Sequence, residues 1–434
     1  MNIFIETLGC PKNFNDSEIA AGILEENNFT ITNNLDDAQV IMVNTCGFIN
    51  DAKTESIEKI FDMAEFSDKL LIVSGCLSQR YSDELYDEMP EVDIFIGVND
   101  YEKLPDIISN HQKGMRDKYV SEYEKDNETL TRKILDKSHT STIKISEGCN
   151  NKCAYCVIPS IRGPYRSRKM ENIINEAKVL ASKGTKELIL IAQDVTTYGI
   201  DLYDGYVLPE LLRKLCMVDG IEWIRLMYCY EDRITDELIE VMASEDKICN
   251  YIDIPIQHAS DNVLREMNRR STRSSIDNTI ARLRTAMPDI RIRTTLIVGF
   301  PGETEEDFDQ LYDFVCDSKF DRLGVFAYSK EEGTEAGDRE DQIDDDIKES
   351  RKDTIMRRQI DISLEGNKSL VGQVLDVIID EIQEDGTCVG RTQYDAPEID
   401  NSVIIKPIRE NYIGDIIKVE IVDAFDYDLV GVEV

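Results

Sequence analysis

The residues best suited to chemistry lie at 147–156, Glu-Gly-Cys-Asn-Asn-Lys-Cys-Ala-Tyr-Cys, where Cys149, Cys153 and Cys156 follow C-x3-C-x2-C spacing. They come directly after the apolar run Ile143-Lys144-Ile145. Three thiolates on one loop can each hold an iron of a cubane and leave the fourth iron open to another ligand, whereas an ordinary four-iron site uses four cysteines. Zinc is the first rival. A structural zinc site wants a fourth Cys or His nearby, and none is adjacent. Three unrelated buried cysteines would have no reason to keep this spacing.

A second set is dispersed. Cys10, Cys46 and Cys76 each follow an apolar run (residues 3–5, 40–43 and 70–73) by a few positions, beside Gly9, Gly47 and Gly75. In a parallel sheet with helical crossovers, the loops after the strands share one edge, where ligands bind. Three cysteines remote in sequence would then converge. The alternative is three small residues that merely end buried strands. Cys216, Cys229, Cys249, Cys316 and Cys388 show no matching spacing and read as packing residues. Eleven cysteines, an odd number, in a chain of 434 residues argue for thiolate ligands rather than a disulfide framework.

The elements that must position these residues fall into three blocks. Residues 1–115 alternate strands with amphipathic segments, as a Rossmann-like parallel α/β domain does, with a fourth strand at 94–97. Residues 116–140 read as a polar linker; His111 and His139, at its ends, are expected at solvated surface. Residues 141–364 hold candidate strands at 142–145, 187–191, 223–227, 251–255, 291–298 and 322–326 with helices between them. Six βα units imply a partial barrel, whose function belongs at the strands' C-terminal ends. The Cys149 loop follows the first of these strands. Residues 365–434 carry strands at 374–379, 387–392, 403–408 and 415–424 without helices between them, indicating a small antiparallel barrel. The sequons at 28–30 and 127–129 have no meaning in a cytoplasmic protein.

The net charge of −37 disfavours passive attraction to nucleic acid or an anionic membrane and favours a basic partner, with an acidic surface kept for solubility as the equal alternative. No run of about 18 apolar residues and no basic-then-apolar N-terminus occurs. A membrane span and a secretory signal are not expected, and a cytoplasmic location is.

The cysteine loop resembles the signature of radical S-adenosylmethionine (SAM) enzymes. Thr7-Leu8-Gly9-Cys10-Pro11-Lys12-Asn13, Asn44-Thr45-Cys46-Gly47 and Ser74-Gly75-Cys76 resemble the N-terminal domain of methylthiotransferases, as do residues 253–258 and 293–304 that family's barrel. The tail resembles a TRAM domain. Residues 192–199 and 390–400 resemble the branch of the family that modifies a ribosomal protein rather than a tRNA adenosine. Residues 366–434 carry 5 Lys and Arg against 15 Asp and Glu, where a tRNA-binding domain should present a basic face.

The resemblance implies two four-iron four-sulfur clusters, on Cys149, Cys153 and Cys156 and on Cys10, Cys46 and Cys76. At the first, SAM would be bound and cleaved to a radical, with Tyr155 packing on its adenine. Gln193 and Asp194 would contact the cofactor's amino group, while Thr294, Thr295, Gly299 and His258 would line the cavity. For His258 a satisfied structural role stands beside that one, and Gly299 fits a simple tight turn as well. Arg162, Arg166 and Arg168 would pair cofactor or substrate carboxylates, or form a solvated basic strip. The implied reaction is β-methylthiolation of an aspartate in a small-subunit ribosomal protein, consuming two SAM molecules and a sulfur donor. A reductant such as flavodoxin or ferredoxin, a ribosomal protein or subunit as partner, a monomeric state and no direct RNA binding complete the expectation. A tRNA adenosine methylthiotransferase is the first alternative, and a non-catalytic iron–sulfur electron carrier the second.

Overall fold

A computed structural model describes residues 1–123, 131–135 and 139–434. The sequon at 127–129 lies outside them. The chain forms two compact units, one from the described residues of 1–137 together with Ser146–Arg168 and Ser329–Thr334, the other from the remainder.

The first unit is built on a six-stranded parallel sheet in the order Thr30–Ile31, Asn2–Thr7, Val40–Thr45, Leu70–Gly75, Ile94–Ile96, Asp117–Tyr119. Val40–Thr45 is buried at every position, as a central parallel strand covered on both faces must be. One apolar core lies on each face: Ile3, Leu24, Met42 and Ile94 belong to one, and Ile41, Val43, Val73 and Phe95 to the other. The sequence missed both edge strands, because two or three half-polar residues make no apolar run. The expected linker is also more than a tether. Asp117–Tyr119 extends the sheet, and Lys133 N donates to Glu18 O (2.9 Å) on the helix Pro11–Glu26, with Arg132 paired to the Glu18 carboxylate.

The second unit begins with six parallel strands in chain order, Thr140–Lys144, Glu187–Ile191, Trp223–Leu226, Ile248–Gln257, Arg291–Val298 and Arg322–Ala327. The sheet stays open, as six βα repeats rather than eight allow. A 24-residue helix, Asp345–Lys368, leads into a closed five-stranded barrel. Its last strand, Asp428–Glu433, was not expected from the sequence. Gly431 interrupts the apolar pattern there because a Cβ at that position would lie 2.2 Å from Val419 Cγ1.

His139 is buried rather than solvated, with Nε2 at 2.8 Å from Asp380 Oδ1 of the small barrel. The expectation failed because a polar neighbourhood in sequence does not report burial contributed by a distant strand. Residues 391–400 of the small barrel pack on the six-stranded sheet through buried ion pairs. Arg391 reaches Glu187 (2.9 Å) and Asp380 (2.7 Å), Arg322 holds Asp395 (2.5 Å), and Arg293 holds Asp400 (3.4 Å). Ile378 and Ala396 fill the apolar gap beside Trp223 and Tyr251.

Candidate iron–sulfur and cofactor sites

In the first unit, three loops at the C-terminal edge of the sheet bring Cys10, Cys46 and Cys76 together. Glycines permit the approach. A Cβ on Gly9 (φ +91°) would lie 2.7 Å from Cys46 Cβ, and one on Gly75 (φ +96°) would lie 2.4 Å from Thr45 O. Asn13 ties the loops. Its Nδ2 donates to Leu8 O and to Thr45 O, both at 3.0 Å, which leaves Oδ1 facing Cys76 Sγ at 3.5 Å. Burial pushes the Cys46 thiol up to about 12, with Cys10 and Cys76 adding to it. Burial likewise raises Cys76, against the lowering effect of Arg162.

The Cys149 loop belongs to the same unit. It is pinned by the two-stranded ladder Ser146–Glu147 with Arg166–Ser167 and by Cys149 N donating to Gly163 O (3.1 Å). Gly148 (φ +71°) lets the outgoing and returning chains touch, since its Cβ would sit 2.2 Å from Pro164 O. Inside the turn, Cys156 N donates to Cys153 O (3.0 Å) and Asn151 N to Cys149 Sγ (3.4 Å). Burial pushes Cys156 up to about 12, with Cys153 and then Cys149 adding to it. Tyr155 is half-buried.

Both sets are thus sulfur-only, with two of the three cysteines buried in each, and burial chiefly raises Cys46, Cys76 and Cys156, a donor set that a cationic cluster would relieve. Among the described residues, no three His, Cys, Asp or Glu groups gather tightly enough for one metal ion. Cluster ligation asks instead for one thiolate per iron.

Arg162 follows neither alternative read from sequence, since its partners are the chain's own. It is 2% exposed, so it is not a solvated strip. Its Nη1 donates to Asp16 Oδ2 (2.6 Å), and its Nη2 to Asn13 Oδ1 (2.9 Å) and Cys76 Sγ (3.1 Å). Arg166 lies over the Tyr123 ring at 3.4 Å and donates to Arg162 O (2.9 Å). Sequence also missed Glu331. Buried, it pairs Lys53 (2.9 Å) and Arg80 (2.7 Å), and Arg80 donates to Gly47 O (3.0 Å) beside Cys46. Nothing local in Ser329–Thr334 signals that role.

In the second unit, the other expected residues lie within the strands or just after them. Gln193 and Thr295 are half-buried there. Asp194 is committed within the chain: it accepts from Thr196 Oγ1 (2.6 Å) and Thr197 Oγ1 (2.7 Å) and pairs with Arg233. Thr294 is structural, donating to Ile254 O (2.8 Å). His258 is fully buried, its Nδ1 accepting from Ser260 N (3.0 Å) and its Nε2 3.8 Å from Glu303 Oε1. A Cβ on Gly299 (φ +72°) would lie 2.2 Å from Lys348 Cγ, so the close neighbour of this glycine is a side chain of the long helix. Tyr228 (φ +61°) and Gln257 (φ +75°) hold left-handed conformations at two strand ends. Such strain in non-glycine residues clusters at ligand sites, and only Gln257 sat in a motif visible beforehand.

Comparison with known proteins bears on these sites. The Radical SAM superfamily matches residues 143–315, the Uncharacterized protein family UPF0004 residues 2–97, and the TRAM domain residues 371–434. Among solved structures, the radical S-adenosylmethionine methyltransferase TsrM of Kitasatospora setae aligns with TM-score 0.57 at 14% identity, covering 77% of each chain. The cobalamin-dependent radical enzyme OxsB aligns with TM-score 0.54 over 82% of this chain and 56% of that one. At such identity the likeness concerns fold alone, and the fold is that of radical SAM enzymes. "Ribosomal protein uS12 methylthiotransferase RimO" of Acetivibrio thermocellus is 49% identical over 98% of this chain and 97% of its own. The protein of that name from Clostridioides difficile is 49% identical over 99% and 98%. The chain belongs to the RimO family of radical SAM methylthiotransferases and is an enzyme, a transferase.

Proposed function

We propose that this enzyme attaches a methylthio group to the β-carbon of an aspartate in ribosomal protein uS12. The observation that carries the reading is the presence, in one compact unit, of two separately built three-cysteine sets, each with two of its three cysteines buried. Near-full-length identity to proteins named for uS12 supports the choice of substrate. In this reading Cys149, Cys153 and Cys156 hold one four-iron cluster, and Cys10, Cys46 and Cys76 hold another. When bound, these clusters and two SAM molecules supply the radical, the methyl group and a site for the transferred sulfur. The chain's own part is to hold the thiolates, bury them from water and oxygen, and orient the cofactor with Tyr155, Gln193 and Thr295. Asp194, His258 and Gly299 are the further residues that this reading assigns to the cofactor. The working division of the chain is residues 1–115, 116–140, 141–364 and 365–434.

Electrostatics supports a protein substrate. Of the five cations in 366–434, Arg391 is buried, while Arg409 and Lys418 pair with Glu433 and Asp376. Little basic surface is left for tRNA phosphates. No helix among the described residues is long and apolar enough to cross a membrane. The test is to supply the reconstituted enzyme with a peptide bearing the uS12 loop and, separately, with tRNA. A methylthio mass gain on the peptide's aspartate is expected; a gain on tRNA alone would transfer the activity to adenosine. Deoxyadenosine formed with SAM and dithionite separates either enzyme from an electron carrier.

A further inference from the structure

Arg162 closes the short helix Ile158–Arg162, six residues after Cys156, yet the sulfur it touches belongs to the other set. Its seat is built rather than incidental. Val157 and Ile161 pack with Cys76 in one apolar cluster, and Val98 covers it. Asn13 spends its amide hydrogens on Leu8 O and Thr45 O, so only its carbonyl oxygen can face the guanidinium. Asp16, itself buried, takes Nη1 at 2.6 Å, with Glu147 Oε2 at 3.5 Å. The remaining Nη2 hydrogen bond runs to Cys76 Sγ at 3.1 Å.

We propose that Arg162 is a positioning residue of the N-terminal cluster, and that its hydrogen bond to the Cys76 sulfur raises that cluster's affinity for an electron. The proposal rests on the reading that Cys10, Cys46 and Cys76 hold an iron–sulfur cluster. Reduction places extra negative charge on the cluster and its ligand sulfurs. An N–H donated from a cation strengthens as that charge grows, and burial keeps water from screening it. Hydrogen bonds to ligand sulfurs are among the factors that set such potentials. Asp16 and Glu147 offset most of the guanidinium's net charge, so the directed N–H···S bond is the operative feature. Because the donor comes from the segment that carries Cys149, Cys153 and Cys156, the seating of one loop sets the electron affinity of the other site.

The experiment uses the full chain with Cys149, Cys153 and Cys156 all changed to Ala, so that only the N-terminal cluster can form. After anaerobic reconstitution, iron and sulfide are counted and the midpoint potential is read by EPR-monitored titration. Arg162→Met is combined with Asp16→Asn, which removes both members of the buried pair and leaves net charge unchanged. The expected result is unchanged iron with a reduction equilibrium constant at least tenfold lower, a fall of about 59 mV for one electron. Arg162→Lys, which keeps a charged donor, should recover part of the shift. An unchanged potential with unchanged iron would overturn the electrostatic role alone. Iron lost only in the Met/Asn variant would also overturn it, leaving Arg162 as a structural support. A parent without iron would overturn the reading of the cysteines, and the proposal with it.

Discussion

At the scale of residues, the N-terminal site depends on a few contacts that chemistry cannot replace. Asn13 satisfies two carbonyls on two cysteine loops and offers its own oxygen to Arg162. Asn13→Ala leaves those buried groups without partners, so the apo protein should lose about 2–4 kcal/mol in denaturant titration. It should also retain less iron at Cys10, Cys46 and Cys76 after reconstitution. Gly9→Ala tests the crowding itself: the new methyl meets Cys46 Cβ at 2.7 Å, in backbone of positive φ. Iron bound at the N-terminal set should fall while the Cys149 set still cleaves SAM to deoxyadenosine. Equal loss at both sites would show that the two sets do not assemble separately.

At the scale of elements, the most consequential piece is residues 391–400, which bind the small barrel to the six-stranded sheet. Arg391 lies between Glu187 and Asp380, all three largely removed from water. Arg391→Ala takes the shared cation from two buried carboxylates, leaving Glu187 with Arg225 and Asp380 with His139, and should cost on the order of 3 kcal/mol. Replacing Glu187 and Asp380 by Gln and Asn in the same protein should restore part of that, measured as a double-mutant cycle. Asp380 also carries a pH signature. Burial raises its carboxyl, but the His139 hydrogen bond and Arg391 more than offset this and hold it at about 2, below the ordinary 3.8. A carboxyl depressed in the folded state stabilises above its unfolded value and loses that contribution as pH falls through the folded one. Roughly 2–3 kcal/mol should therefore disappear between about pH 4 and pH 2. Asp380→Asn should remove that part of the acid slope in urea titrations at stepped pH.

At the scale of the whole molecule, a net charge of −37 governs encounter rather than fold. With a basic ribosomal protein as substrate, long-range attraction speeds association and is screened beyond roughly 8 Å at physiological salt. The kcat/KM for a basic uS12-derived substrate should fall several-fold between about 0.05 and 0.5 M salt, with kcat little changed. A flat salt profile would remove charge steering from the account and leave the surface acid as a solubility device.

Local spacing and period determined a good deal without coordinates. Cys149, Cys153 and Cys156 stand out as one set because three thiols within eight residues need no long-range partner to converge. The strands ahead of Cys10, Cys46 and Cys76 are legible because buried parallel strands are continuous apolar runs. Tertiary structure alone decided where Arg162 points, that Glu331 supports the Cys46 loop, and that His139 is buried against Asp380. Each of these is a polar side chain whose partner lies far along the chain. Its charge is visible in the sequence, but its burial and pairing exist only once distant segments have packed. The opening cysteines were readable because they carry their neighbours with them; the arginine beside them was not, because its partners come from the other end of the unit.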